Sequence, residues 1–255
     1  RSKVSTLPDF LEKRYNRACR DWLAFLSIIA AIFIHISFSL YAGAIVLKSM
    51  FGINILASII LAASFSGIYT IVGGLSAVAI TGALQTVILV IGAIIITLIG
   101  LNQAGGWDQV AESVEPVKMT VLRPAGDPSG LPWYSIFLGY PIIGLWYWCA
   151  DQTIVQRVLG AKDENHARTG AIFAGFIKTL PIFIFVLPGL ICLALINQGK
   201  LPDGINETGD NTYAFMVGQL VPAGLKGLLA AALLAALMST VSGALNSIAT
   251  LFSYD

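Results

Sequence analysis

The sequence predicts an all-α protein embedded in a membrane, and two observations lead to this class. Of the 255 residues, 56% are hydrophobic and only 11% are charged, whereas soluble domains carry roughly 25% charged residues. A chain with so few charges cannot cover a water-facing surface. In addition, the stretch from Ser49 to Trp107 contains no charged residue at all.

Uncharged runs divide the chain into six predicted transmembrane helices within a single domain, residues 1–255. A helix needs about 20 mostly apolar residues to cross the roughly 30 Å hydrocarbon core. The long uncharged stretch exceeds one crossing, and we divide it at Gly73-Gly74. The predicted spans cover residues 22–47, 53–72, 75–101, 133–155, 169–197 and 226–252.

The distribution of basic residues predicts the orientation in the cell membrane. Cytoplasmic loops of membrane proteins carry an excess of lysine and arginine. Residues 1–21 contain six basic residues and residues 156–168 contain three. We therefore expect both ends of this multi-pass chain in the cytoplasm and residues 102–132 outside. The loops assigned to the outside hold four basic residues: Lys48, Lys118, Arg123 and Lys200.

Several function classes are not expected from this sequence. The net charge of +1 gives no global field for nucleic acid. Cys19, Cys149 and Cys192 are odd in number and far apart, which is not the pattern of a disulfide framework or a zinc site. No nucleophile elbow, zinc-protease motif or phosphate-binding loop occurs, so we expect neither an enzyme nor a bound cofactor.

Two titratable side chains inside predicted spans are candidate functional residues. Lys178 lies nine residues into the fifth span, which is about 14 Å deep at 1.5 Å per residue. A charge at that depth faces a watery cavity, a counter-charge or a polar ligand, although a long lysine can also extend to the interface. His35, in the first span, either lines the same cavity or is a hydrogen-bonded packing residue.

The fourth span carries a pair of aromatic residues, Tyr147 and Trp148. Such pairs are usually interfacial anchors. Here they follow Gly139, Pro141 and Gly144, which weaken helix continuity as in the broken helices that line transporter cavities. A flat aromatic face at that position can stack on the apolar face of a sugar ring.

The sixth span carries a stripe of small and polar residues at helical spacing. One interpretation is a close helix–helix contact, since small residues let backbones approach. The other is a sodium site, because hydroxyl and carbonyl oxygens suit a hard monovalent cation. The stripe consists of Ala236, Ser239, Thr240, Gly243, Asn246 and Ser247.

Four segments resemble the sodium/solute symporter family. The motif Tyr-Trp-Cys-x-Asp-Gln-x-x-Val-Gln-Arg at 147–157 resembles the sodium/sugar branch and is the most specific. Gly73-Gly74-Leu75-Ser76-Ala77 resembles a family signature. Residues 236–252 resemble the sodium-binding helix, and residues 7–16 the segment before the third core helix. The similarity covers essentially the whole chain.

This resemblance implies a LeuT-type fold, in which ten core helices form two inverted repeats of five helices. The six predicted spans then correspond to core helices three to eight. The chain is accordingly expected to be a fragment without the first two and the last two core helices. Part of the sodium site and several sugar-binding side chains would lie on those helices.

The resemblance also implies roles for particular residues. Ser239 and Thr240 offer hydroxyls to sodium and Ala236 its carbonyl. Tyr147 stacks on the sugar as an inner gate with Trp148 beside it, and Lys178 hydrogen-bonds sugar hydroxyls. His35 falls where other members place a polar or basic residue.

One position departs from the family pattern. Many relatives have Thr-Asp-x-x-Gln on the fifth core helix, whereas this chain has Thr81-Gly82-Ala83-Leu84-Gln85. Because Gly82 has no carboxylate, a second cation site that uses that aspartate is not expected.

The function implied by the resemblance is sodium-coupled symport of a sugar or polyol by alternating access. Sodium is the coupling ion, and the expected partners are sodium, a small sugar or polyol and the lipid bilayer. Two alternatives remain open at this point. One is symport of a carboxylate, an amino acid or an anion, and the other is a sensor that binds sodium and sugar without coupled flux.

Overall fold

The computed structural model describes residues 4–127, 130–205 and 209–255, and all regular elements of these residues are helical. Arg1 and Lys3, which the charge count includes, lie outside the described residues. The α-helices are α1 (Leu7–Arg14), α2 (Arg17–Ala30), α3 (Ser37–Phe51), α4 (Ile55–Ala104), α5 (Trp107–Ser113), α6 (Trp133–Leu145), α7 (Gln152–Leu159), α8 (Glu164–Ile177), α9 (Leu187–Asn197), α10 (Thr212–Leu220) and α11 (Ala223–Tyr254). Three π-helical segments (Ala31–Ile36, Trp146–Ala150 and Ile182–Val186) and a 3₁₀ turn (Pro116–Met119) complete the elements.

Within the described residues, four helical stretches are long and apolar enough to cross a membrane: Arg17–Phe51, Ile55–Ala104, Glu164–Asn197 and Ala223–Tyr254. Four of the six predicted spans lie wholly within them, and a fifth, residues 53–72, does so except for its first two residues. The remaining one, residues 133–155, is interrupted at Asp151 and is not among the four. The six-span arrangement therefore stays a prediction, to which the long apolar helices give partial support.

The chain turns sharply within α4, at Gly74. Its backbone there has φ 54° and ψ −160°, a positive-φ conformation that favours glycine. The side-chain oxygens of Tyr69 and Thr81 are hydrogen-bonded to each other across this point. In a straight helix these two residues lie about 18 Å apart along the axis, so the contact requires the chain to fold back. The turn falls at the predicted division between the second and third spans.

The core lies where α4, α9, α10 and α11 meet. Gly92 of α4 faces Leu229 of α11, whose side chain is 1% exposed. Because glycine has no side chain, the two helices approach closely at this level, as small residues allow between membrane helices. The largest fully buried side chains of this cluster are Ile96, Ile191, Leu195, Met216 and Leu229.

A polar network joins the two ends of the chain. Arg20 at the start of α2 donates to Glu12 and to the carbonyl of Tyr254, and its Nε lies 3.0 Å from Oδ1 of Asp255. The hydrogen bond with Glu12 raises the pKa of Arg20 above its ordinary value. Thr6 Oγ1 donates to Asp255 Oδ1 at 3.0 Å. The start of the first predicted span and the end of the sixth thus lie together.

The predicted topology can be checked with single cysteines at Gly126 and Gly160, in a background in which Cys19, Cys149 and Cys192 are replaced, because Cys149 is exposed and Cys19 is partly exposed. An added side chain at Gly126 meets nothing within 4 Å, and one at Gly160 makes only ordinary contacts. We expect an impermeant thiol reagent to label Gly126→Cys from outside and Gly160→Cys from the cytoplasmic face. Labelling of both from one face would contradict the six-span arrangement.

The close approach of α4 and α11 predicts unequal effects for two glycine substitutions. A methyl group at Gly92 would overlap the buried Leu229, so Gly92→Ala should destabilise the fold by about 1–3 kcal/mol, as overpacking does. Gly67 lies on the same helix with open space around it. Gly67→Ala should leave the thermal unfolding midpoint in detergent unchanged or raise it, and equal losses in both variants would contradict the proposed contact.

Candidate substrate and sodium sites

The fourth predicted span ends in a break at Asp151. Helix α6 passes into the π segment Trp146–Ala150, Asp151 is extended (φ −71°, ψ 113°), and α7 begins at the next residue. Asp151 Oδ1 accepts a hydrogen bond from the backbone N of Thr153 at 2.9 Å, which makes it the N-cap of α7. A discontinuity was expected near Gly139, Pro141 and Gly144. The structure has it after these residues, because the capping carboxylate determines where α7 begins.

The fifth predicted span is also interrupted, at its lysine. Helix α8 ends at Ile177, residues 178–180 form a turn, and a π segment follows at Ile182–Val186. The backbone N of Lys178 still donates to the carbonyl of Ala174 at 2.9 Å. Lys178 therefore lies at the point where the regular helix stops, and its side chain leaves the helix from an unwound turn.

The two interruptions bring Lys178, Tyr147 and Trp148 together. The lysine Nζ donates to the Tyr147 hydroxyl at 3.3 Å and lies 4.3 Å from the centre of the tyrosine ring. It lies 5.7 Å from the Trp148 ring, which meets Tyr147 edge-on at 5.5 Å. A cation over aromatic faces is attracted by their quadrupoles. Among the described residues no carboxylate pairs with this ammonium group, so hydroxyl and ring faces are its partners.

These three residues line one cavity of about 530 Å³, together with Thr86 and Arg157. That volume lies within the range of small-molecule sites. The cavity combines ring faces with hydrogen-bond donors, which is the combination that a polyhydroxylated ring requires. Three of the four predicted substrate residues thus share a site.

His35 lies in a different cavity, of about 660 Å³. One of the two expectations for His35 was that it lines the cavity of Lys178, and the structure does not place it there. Its Nε2 is 2.8 Å from Oδ2 of Asp151. The imidazole lies nearly parallel to Trp146, with ring centres 6.3 Å apart and an interplanar angle of 11°. The break at Asp151 therefore separates the site of His35 from that of Tyr147 and Lys178.

The three predicted sodium ligands lie on one helix but face different neighbours. Ser239 is buried (8% exposed) against α4, where a Cβ added to Gly82 would lie 3.4 Å from its Oγ. Thr240 Oγ1 donates to the Ala236 carbonyl at 3.3 Å, and both residues line a third cavity of about 460 Å³. The described residues alone do not enclose an ion between these groups.

Sequence reasoning assigned no role to Asp151 and Gln156. Both are buried, at 6% exposure each. Gln156 Nε2 donates to the carbonyl of Gly243 at 2.8 Å and so ties α7 to the polar stripe of α11. The signal available beforehand was a carboxylate placed inside an otherwise apolar span, since intramembrane charges are rare without a partner.

A helical membrane protein with two interrupted helices, polar groups at the interruptions and a hydroxyl-bearing helix opposite belongs to the class of secondary transporters. The chain is a member of the sodium:solute symporter family, whose model matches residues 1–255. Proteins of this family are transporters and not enzymes.

Curated relatives match the whole chain, which spans less than half of their length. It is 36% identical to a sodium/mannose cotransporter of Bos taurus, over 100% of this chain and 47% of the relative. It is 34% identical to sodium/glucose cotransporter 1 of Sus scrofa (99% and 43%). It is 36% identical to the sodium/myo-inositol cotransporter of Homo sapiens (100% and 40%).

A solved structure has the same fold. The substrate-bound, outward-open state of a Na⁺-coupled sialic acid symporter superimposes with a TM-score of 0.82 at 22% identity. The match covers 99% of this chain and 54% of that one. The predicted fold class, part of an all-α LeuT-type transporter core, is thereby confirmed.

Proposed function

We propose that this chain is part of a sodium-coupled symporter that moves a sugar or polyol by alternating access. The observation that carries the proposal is the group formed by Lys178, Tyr147 and Trp148 at two helix interruptions. The names of the mannose, glucose and myo-inositol relatives support a polyhydroxylated solute. We further propose that both ends of the chain lie in the cytoplasm.

A sugar ring fits the chemistry of this group. Lys178 covers the tyrosine face at 4.3 Å and donates to its hydroxyl. A sugar that stacks on Tyr147 replaces the ammonium on the ring face and offers hydroxyls as new acceptors to the same ammonium. The exchange keeps the lysine hydrogen-bonded in both states, which avoids leaving a buried charge unpaired.

In this proposal the backbone moves at the two helix interruptions. Residues at the ends of broken helices can change φ and ψ without disturbing the helical hydrogen bonds on either side. Asp151 directly follows the π segment that carries Tyr147 and Trp148. Lys178, at the start of the turn at 178–180, lines the cavity that holds Tyr147. We propose that a rotation at either point changes access to this cavity. We propose that Tyr147 and Trp148 close the path to the cytoplasm as an inner gate.

Sodium is proposed to bind the hydroxyls of Ser239 and Thr240 and the carbonyl of Ala236, with further ligands from segments outside this chain. An aspartate in place of Gly82 would lie against Ser239. Because this chain has glycine there, we propose one sodium ion per sugar. Each ion that moves down a 100 mV potential contributes about 2.3 kcal/mol, so a single ion limits the sugar gradient that can be reached.

An anionic solute is a second candidate, favoured by the basic lining of the cavity. Lys178 and Arg157 both face it, and a carboxylate suits two such cations. Uptake of labelled mannose, glucose and myo-inositol into vesicles, with an acidic sugar as competitor, separates the two candidates. Binding of sugar without sodium-driven accumulation would indicate a sensor instead.

The sugar site predicts that Lys178→Ala and Tyr147→Ala weaken sugar binding in the full-length transporter. Each loss of a hydrogen-bond or stacking partner should cost about 1–3 kcal/mol, which is roughly a 5- to 150-fold increase in Kd. The measurement is a binding isotherm in detergent. Lys162→Ala, an exposed lysine on the loop after α7, is the control and should bind normally. Normal affinity in folded Lys178→Ala protein would contradict the role of the lysine.

The sodium site predicts a change in sodium dependence for the double variant Ser239→Ala, Thr240→Val. Two of the few available ligands are lost, so the sodium concentration for half-maximal uptake should rise by tenfold or more. Sodium-independent sugar binding should change less, because sodium acts on the sugar only through their reciprocal coupling. Thr250→Val is a matched control, since Thr250 also donates to a carbonyl one turn earlier on α11. An unchanged sodium dependence in the double variant would refute this assignment.

A further inference from the structure

Asp151 uses its two carboxylate oxygens for different partners. Oδ1 accepts from the backbone N of Thr153 at 2.9 Å and from the Thr153 hydroxyl, and so caps α7. Oδ2 lies 2.8 Å from Nε2 of His35. The residue that defines the break in the fourth predicted span is therefore also in contact with the first predicted span.

The contact borders a cavity lined mostly by apolar side chains. The side chain of Asp151 is 6% exposed and that of His35 is 16% exposed. With a neutral imidazole the pair carries a net charge of −1, and with a protonated imidazole its net charge is zero. A charge that is buried away from water without a counter-charge costs free energy. Binding of one proton from the solvent makes the pair neutral and removes this cost.

The other described residues that line the cavity around the pair carry no charged group. Helix α2 contributes Leu23 and Ser27 to the cavity, α7 contributes Gln152 and α11 contributes Ser247. Of the described residues that line this cavity, only His35 and Asp151 are titratable in the physiological range. Histidine is the side chain that changes charge between about pH 5 and 8. A change of charge in this cavity is thus a property of the pair.

Two π-helical segments lie at the contact between His35 and Asp151. His35 lies in the π segment Ala31–Ile36, and Trp146, which stacks on it, opens the π segment Trp146–Ala150. Short π segments within α-helices occur frequently at functional sites. Two of them meet here, one on each side of the contact.

We propose that the His35–Asp151 pair is a proton-binding site, and that the bound proton stabilises the contact between the first predicted span and the break in the fourth. The proton is held more tightly when the two residues are in contact than when they separate. Contact is therefore favoured at low pH and is weakened as the pH rises. Proton binding itself does not depend on the proposed transport function, whereas its effect on transport does.

The first test follows the proton directly, through Trp146, in purified full-length protein. Protonated imidazole quenches a stacked indole, so the intrinsic fluorescence should rise in one step as the pH is raised. The step should be absent from His35→Gln, which keeps a hydrogen-bonding group without titration, and from Trp146→Phe. Persistence of the step in His35→Gln would overturn the proposal.

The chain offers a matched control in its other histidine. His166 Nδ1 lies 2.7 Å from Oδ2 of Asp163, which also caps a helix, but both side chains are exposed. The backbone N–H of His166 and its ring lower the pKa of Asp163. His166→Gln should keep the full fluorescence step. Loss of the step in this variant would show that the signal comes from His166 and would overturn the proposal.

The second test measures the consequence for transport. If separation of the pair is part of the cycle, the maximal rate of sodium-driven sugar uptake should be several-fold higher at pH 8 than at pH 6. The ratio should approach one in His35→Gln and in Asp151→Asn, because asparagine still caps α7 but has no charge. A fluorescence step with no sugar uptake would leave proton binding in place and reject the transport function. If both variants keep the wild-type ratio of uptake rates between pH 8 and pH 6, the proposed role of the proton in stabilising the contact is refuted.

Discussion

The constraint on which the structure depends is that lipid offers no hydrogen-bond partner to a peptide group. Helices must therefore satisfy their own backbone, and an interruption is tolerated only where protein or a cavity supplies the missing partners. Asp151 meets this condition by capping α7 with one carboxylate oxygen. The turn at Lys178 meets it through continued backbone bonds, from Lys178 N to the Ala174 carbonyl and from Leu180 N to the Ile177 carbonyl. Polar side chains lie at these two points because an interrupted helix needs hydrogen-bond partners there.

Close packing of α11 on α4 sets the frame around these interruptions. Gly92 allows Leu229 to approach the α4 backbone, and Gly82 allows Ser239 to do the same nearer the middle. The hydroxyl of Ser239 is consequently held against a helix rather than exposed to a cavity. A site of neutral oxygens needs such fixed geometry, since no formal charge compensates for a ligand that is out of place.

The break at Asp151 also divides the polar groups into two sites with different chemistry. On one side, Tyr147 and Trp148 present ring faces to the Lys178 ammonium, which favours a hydroxylated ring. On the other side, His35 faces the second carboxylate oxygen of Asp151, which favours a proton. Asp151 directly follows the π segment that carries Tyr147 and Trp148, so its contact with His35 and the aromatic pair are neighbours along the chain.

The sequence by itself determined the membrane class, the positions of the long apolar helices and the turn at the double glycine, and it singled out Lys178, Tyr147 and Trp148 as candidates. These follow from composition, run length and spacing, which are local properties of the chain. It did not determine that Asp151 ends a helix, that His35 turns toward this carboxylate, or that Ser239 and Thr240 face different neighbours. Each of these depends on which side chain from a distant segment lies within hydrogen-bond distance, and only the packing of one helix against another decides that.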